Sequence, residues 1–366
     1  MKNLLSKYSS QEKKIANYVI ENKRISREQA IFLYENSDPM FCALLADYQR
    51  KQLYGNKIFY NKNIHIEITN ICVNKCKFCS FYRQKGQKGA WDLEKHDVLE
   101  ILKEKTLSGI TEVHFTGGLH PEKSTGFYSD LFKEIKTTYP SLHIKAFTSV
   151  EIEHFSKLDN LNIYEVMEIL KNAGLNSLAG GGAEILDDNI RKKICPEKTN
   201  SQTWLEVHKY AHLLGMKTNC TMLYGHIETI EDRVKHLELL RNLQDETNGF
   251  NCFIPLKYKI AGNKLGLKQE ANLIDELKNY SISRLFLDNI PHLKAYWPMC
   301  GKETALLAMS FGADDFDGTI SNTTKIYSMA GGEQKPELNP KEIQEIAKTA
   351  GFYAIERDSE YNETDL

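Results

Sequence analysis

The sequence predicts an α/β fold, a (β/α)8 barrel of the TIM type with an N-terminal helical extension and a short C-terminal extension. Three observations support it. From residue 64 onward short apolar strands alternate with amphipathic helices. About eight such units follow one another, the number that closes a barrel. Several helices end in a glycine just before the next strand, at Gly109, Gly174, Gly215 and Gly312, where a left-handed residue ends a helix cheaply. Alternation of this kind implies parallel pairing and right-handed crossovers. An open doubly wound sheet is the alternative, but no GxGxxG follows the first strand.

In chain order, residues 1–60 are expected to form the helical extension, 61–322 the barrel, and 323–366 an extension packed on it. Within the first part, SSQEKKIANYVIENK and SREQAIFLYENS carry apolar residues at helical spacing behind Ser caps. Barrel strands are expected at HIEIT (from His65), EVHFT (from Glu112), HIKAFT (from His143) and LNSLA (from Leu175). Four more are expected at KTNCTMLY (from Lys217), FNCFIPL (from Phe250), SRLFLD (from Ser283) and ADDFDG (from Ala313). The helices between them include KHDVLEILKEKTLSG, NIYEVMEILKNAG, SQTWLEVHKYAHLLG and TIEDRVKHLELLRNLQDET. Past residue 325 the chain reads as a connector, one helix and a last apolar stretch. In such barrels the chemistry lies where strands end.

Composition excludes several function classes. The 366 residues are 41% hydrophobic and 26% charged, with a formal net charge of -2. That balance argues against a nucleic-acid groove or an anionic-membrane binder, both of which need a basic excess. No apolar run reaches the roughly 20 residues that span a bilayer, and the N-terminus lacks the apolar segment of a secretory signal. The expectation is a cytoplasmic protein; the sequence leaves an oligomer open.

Of eight cysteines, five are scattered and read as buried, inert thiols. The other three, Cys72, Cys76 and Cys79, stand within NICVNKCKFCSFYRQKG, directly after the first barrel strand. Thiolates are soft ligands for iron–sulfur clusters, zinc or copper. A structural zinc site pairs two close cysteines with two distant ligands, and no second close pair exists here. Three thiolates on one loop leave one iron of a cubane free of protein ligands, open to a small molecule. A zinc knuckle and a four-cysteine electron carrier are the competing readings.

Cysteines spaced by three residues and then two, with aromatic Phe78 before the last, resemble the loop of the radical S-adenosylmethionine (SAM) superfamily. The resemblance implies a [4Fe-4S] cluster on Cys72, Cys76 and Cys79, with SAM on the open iron, and cleavage of SAM to a 5′-deoxyadenosyl radical. It implies cofactor contacts at HFTGGLHP, through Thr116, Gly117 and Gly118, although Leu119 stands where the superfamily's GGE turn has Glu. It implies further contacts from Gly181, Gly182 and Glu184 in LAGGGAEI, and from Leu223 and Gly225 in TMLYGHIE. Glu228 completes a GxIxGxxE-like element, though His226 and Glu228 read equally well as a polar pair capping the next helix.

Longer segments, among them AGGGAEILDDNIRKKICPEKT, KAFTSVEI and DNIPHLKAYWPMCGKETALLAMSFGADDFDGTI, resemble the aminofutalosine synthase family of the futalosine route to menaquinone, over about residues 35 to 350. The cyclic dehypoxanthinylfutalosine synthases and the deazaflavin-chromophore synthases are the neighbouring families. The resemblance implies 3-[(1-carboxyvinyl)oxy]benzoate as substrate: the radical adds to the enol ether, the aryl ring migrates, and a carboxyl carbon is lost as bicarbonate. It implies a reductant such as flavodoxin or ferredoxin. Two substrate carboxylates need cationic or donor partners in a dry barrel, with Arg83, His120, Lys257, His292 and Lys294 as candidates from their positions near strand ends. Glu228, His226 and His65 are the candidates for proton transfer.

Overall fold

A computed structural model describes residues 4–106, 109–322 and 325–364. Three helices open the chain, α1 (Ser10–Ile20), α2 (Arg27–Asn36) and α3 (Pro39–Tyr54). Ser9 and Ser26 each accept from the third backbone N–H of their helix, and Glu12 and Gln29 reach back to the cap N–H. Two orphan donors are thus satisfied at each start. The helical reading of residues 1–60 stops short, because Lys57–Asn61 form strand β1. Ile58, Phe59 and Tyr60 are buried there, between β9 and β10 below.

The alternating part then runs β2 (Asn63–Glu67), α4 (Lys95–Thr106), β3 (Glu112–Thr116), α5 (Thr125–Thr138), β4 (His143–Ala146), α6 (Ser149–Asp159) and α7 (Ile163–Ala173). It continues through β5 (Ser177–Leu178), α8 (Asp188–Ile194), α9 (Ser201–Leu213), β6 (Lys217–Tyr224), α10 (Ile230–Thr247), β7 (Phe250–Lys257) and α11 (Leu273–Phe286). The last elements are β8 (His292–Leu293), α12 (Trp297–Cys300), α13 (Lys302–Met309), β9 (Asp315–Gly318), α14 (Lys325–Ser328), α15 (Pro340–Thr349) and β10 (Tyr353–Glu356). The helix expected from Lys95 ran through residues 107 and 108, which lie outside the described residues, as do 323 and 324 at the expected barrel boundary.

One strand is displaced from its expected place. SRLFLD, from Ser283, belongs to the end of α11 and the turn after it, and the seventh barrel strand is the two-residue β8. Leu285, Phe286 and Leu287 are all buried, and a short apolar run does not distinguish a buried helix end from a strand.

Strands β2 to β8 form one parallel sheet in sequence order, and β1 lies between β9 and β10 in a second parallel sheet. The sheets are tied together on both sides. Ala295 N–H donates to Asp315 O at 2.8 Å, and Ser321 N–H donates to Asn63 O at 3.0 Å. Strands β2 to β9 therefore curl round one cavity, the arrangement expected for eight βα units, with β10 as an addition outside β1.

Apolar residues outside the curl form two cores. One packs β2–β5 against α4–α7. The other joins the second half of the barrel to α1–α3, so that Phe41 and Leu45 share a core with Leu277 and Tyr280. Helix α3 lies on α11 and α2 on α10, which puts the N-terminal helices on the outer wall. Arg24 holds them there through Asp245 at 2.6 Å and Asp288 at 2.8 Å. Inside the curl, residues two apart on each strand face the centre, and many are polar: His65, Glu112, His114, Lys145, Lys294 and Asp317.

Candidate active site

A cavity of about 280 Å³ occupies the barrel interior, of the order of small-molecule sites. Cys72, Cys76 and Cys79 line it from a loop held on both sides. Cys72 N–H donates to Arg83 O at 3.0 Å, and Arg83 N–H donates to Asn70 O at 2.7 Å. Asn70 also accepts from Trp91 N–H and donates to Gly89 O, each at 2.9 Å. Neighbouring loops clamp the far side: Lys77 N–H donates to Ile194 O at 2.8 Å, and Ser80 Oγ donates to Ala261 O at 2.6 Å.

The three cysteines are free thiols. Among the described residues no three His, Cys, Asp or Glu side chains converge on one metal ion. Burial pushes the Cys72 and Cys76 thiols up, with the Lys198 ammonium opposing it in both. Thiolates in so dry a place require a bound cation. Lys198 also lines the cavity, pairs with Glu184 at 2.5 Å, and lies 5.0 Å from the centre of the Phe78 ring.

The glycines have a structural cause that position alone did not show. A Cβ on Gly118 would stand 2.4 Å from Ile71 O, and one on Gly117 would stand 3.0 Å from Thr69 O. Only glycine lets the cysteine loop pass so close to the end of β3. A Cβ on Gly180 would meet Cys220 Cα at 2.6 Å, and on Gly182 (φ +79) Val150 at 2.6 Å. These turns pack protein on protein and still border the cavity.

Of the cofactor candidates, Phe78, Thr116, Gly117, Gly118, Gly181, Gly182, Glu184 and Leu223 all line the cavity. Gly225 does not; its positive φ of 84° serves a turn against Ala271. Glu228 and His226 also stand outside the lining. Glu228 accepts from Gly225 N–H at 2.5 Å and His226 N–H at 2.8 Å, and pairs with Arg233 at 2.7 Å. Its acceptor capacity is committed to that turn, while the cap of α10 expected from the pair is supplied by Thr229 and Asp232 instead.

Only one of the five substrate candidates, Lys294, reaches the cavity. Arg83 Nη1 donates to the carbonyls of Ser80, Phe81 and Tyr82 and so braces the cysteine loop. His120 accepts at Nδ1 from Glu122 and Lys123 N–H at 3.1 and 3.2 Å, closing the turn after β3. Lys257 faces away to Glu276 at 2.5 Å, because Leu256 beside it is the residue that faces in. His292 pairs with Asp314 at 2.6 Å and stacks on Tyr361 with 3.7 Å between ring centres, outside the cavity lining. His65 lies behind the lining, its ring 4.6 Å from that of His114, and burial lowers it to about 4.

Position near strand ends missed Lys145 and His114, which line the cavity from within β4 and β3. Period-two alternation was the signal: a charged residue between Ile144 and Ala146, both outward in an apolar core, must point inward. Lys145 meets Glu112 at 2.6 Å with both side chains buried. Lys294 contacts Asp317 across the floor. Burial opposes ionisation of Asp317, but Lys294 outweighs it and holds the carboxyl at about 2. Thr116 Oγ1 is buried beside the cavity with no partner among the described residues. No helix among the described residues is long and apolar enough to cross a membrane.

Comparison with known proteins agrees with this geometry. Residues 66–240 match the radical SAM superfamily, and residues 247–366 match the family described as the CofH/MqnC C-terminal region. The chain is 42% identical over 353 residues to an aminodeoxyfutalosine synthase of Thermus thermophilus, covering 95% of each. It is 36% identical to one of Streptomyces coelicolor, covering 96% of this chain and 93% of that one. A cyclic dehypoxanthine futalosine synthase of Streptomyces coelicolor is 35% identical, over 92% of this chain and 85% of that one. Among solved structures, methylornithine synthase superposes with a TM-score of 0.73 at 18% identity, covering 93% of this chain and 97% of that one, which shows the shared fold. Members of the superfamily use a [4Fe-4S] cluster and SAM, and the cysteine trio fits both. The chain belongs to the radical SAM superfamily and, within it, to the family that contains the aminodeoxyfutalosine synthases.

Proposed function

We propose that this chain is an aminodeoxyfutalosine synthase, joining the 5′-deoxyadenosyl group of SAM to 3-[(1-carboxyvinyl)oxy]benzoate with release of methionine and bicarbonate. The observation that carries the reading is the pairing of one cavity with two ends. Three cysteines stand at one part of its wall and two buried lysines, Lys145 and Lys294, at another. Full-length identity of 42% to an enzyme of that name supports it.

Cys72, Cys76 and Cys79 would hold the cluster. Thr116 to Gly118, Gly181 to Glu184 and Leu223 would border the nucleotide. When bound, cluster and SAM supply a 5′-deoxyadenosyl radical. The chain's own work is then binding, orientation and exclusion of water. Phe147, Ile254, Leu256, Met299 and Tyr327 give the cavity an apolar wall that keeps solvent from a reactive carbon. Lys145 and Lys294 are buried cations of the cavity wall, and each ammonium has three donors, so they would donate to a substrate carboxylate while still paired with Glu112 and Asp317. Flavodoxin or ferredoxin would deliver the electron.

The second reading, the cyclising relative, is favoured by the 35% identity to that enzyme. Product mass separates the two. Anaerobic enzyme given SAM, dithionite and the enol-ether benzoate is expected to yield an adenine-containing adduct. Free 5′-deoxyadenosine with the benzoate unconsumed would refute the assignment.

A further inference from the structure

The cavity floor is electrically balanced before any substrate arrives. His65, His114 and Lys145 are register partners on β2, β3 and β4, so they form one inward row. Lys145 pairs with Glu112, Lys294 with Asp317, and Arg357 with Asp315. All six of these charged residues are buried. Each positive charge is matched and none is left over. Within this set the His114 ring borders the cavity, makes no hydrogen bond among the described residues, and has its Nε2 buried without a partner.

Resting on the function proposed above, we infer that this floor is the seat of one substrate carboxylate, received by Lys145, Lys294 and His114, and that His114 takes a proton from solvent as the carboxylate enters. A carboxylate brought into a dry, neutral site adds one uncompensated negative charge, which is unfavourable unless a positive charge joins it. Breaking the Lys145–Glu112 or Lys294–Asp317 pair would only strand another carboxylate. An unpartnered neutral imidazole supplies the charge with no pair broken.

The groups around His114 are His65 from β2, Glu112 from its own strand, Lys145 from β4, Lys294 just after β8 and Asp317 from β9. Burial first, then His65 and Lys145, hold His114 well below the usual histidine range, so it is neutral in the free protein. Glu112 and Asp317 are kept ionised by their lysines and do not take the proton. His65 is 1% exposed, behind the cavity lining. A carboxylate at the floor reverses the balance at His114 and raises its affinity for a proton. Linkage then requires that substrate affinity fall by up to tenfold per pH unit as pH rises between the free and bound values of that group.

The test is calorimetric titration of reconstituted holoenzyme with SAM, without reductant, using 3-[(1-carboxyvinyl)oxy]benzoate in phosphate and in Tris at one pH. The difference in heat between buffers counts protons taken up. The expected count is about one per molecule bound, falling to near zero in His114→Gln with affinity weaker by about tenfold. A count near zero in the natural protein overturns the inference, as does a full count retained in His114→Gln. If that variant fails to fold, the natural protein's count still decides. Reductant added to the same sample separates the two readings. Adduct formed with no proton uptake removes the role of His114 and leaves the proposed function standing. No binding and no adduct removes both.

Discussion

Lys145 and Glu112, 2.6 Å apart and both buried, are a pair whose members depend on each other. Removing one leaves the other charge unpaired in a dry interior, whereas removing both leaves only a gap in packing. Lys145→Met is expected to cost about 3–5 kcal/mol of stability, and Lys145→Met with Glu112→Leu to recover most of it, as read by chemical denaturation. Equal losses in the single and double variants would show that the pair is not buried as described. Residues of this kind were legible in principle, since strand parity alone turns Lys145 inward and Lys257 outward. Proximity to a strand end gave the wrong weight to Lys257 and His120, because which face a side chain takes is decided by register and not by distance along the chain. The cysteine trio was the most legible feature, since spacing and residue type together name the ligand chemistry.

Among the elements, the loop between β2 and α4 depends on a glycine and an arginine outside the ligand set. A Cβ at position 118 would sit 2.4 Å from Ile71 O and 3.0 Å from Cys72 Cβ, so Gly118→Ala must push the cysteine loop outward. The expected outcome is several-fold less iron after anaerobic reconstitution, with circular dichroism close to that of the natural protein. Full iron loading in that variant would show that the loop tolerates the shift. The helices were readable because their caps are local: Ser9, Ser26, Thr148, Asn162, Thr229 and Asn339 all close capping boxes. Strand β8 was not readable, because two residues carry no periodicity and the apolar run before them is equally good helix. Strand β1 was missed for a related reason. Its hydrogen-bonded neighbours, β9 and β10, lie more than 250 residues away, so no nearby strand marks it.

For the whole molecule, the alternation of strand and helix made the curl legible, while its closure rests on contacts between distant segments such as Ser321 with Asn63. The same interior sets the response to acid. His65, His208 and His236 are buried, and burial holds them below the usual range, His65 at about 4 and His236 at about 3. His236 is fixed as a neutral tautomer, accepting at Nδ1 from Leu186 N–H and facing Thr221 O with Nε2, each at 3.0 Å. The unfolded chain binds protons at these sites below about pH 6.5 and the folded chain does not, so stability falls as pH drops through that window. Between pH 6.5 and 5.5 the loss from these three is about 1 kcal/mol each; unchanged denaturation midpoints across that interval would contradict it. The proposed function requires that three cysteines hold a cluster with one corner reserved for the nucleotide. Electron paramagnetic resonance of the reduced, reconstituted protein, recorded with and without SAM, tests it most directly. A [4Fe-4S] signal that changes when SAM is added and is lost in Cys76→Ala is the expected result. A signal indifferent to SAM, or one that survives that substitution unaltered, would contradict it.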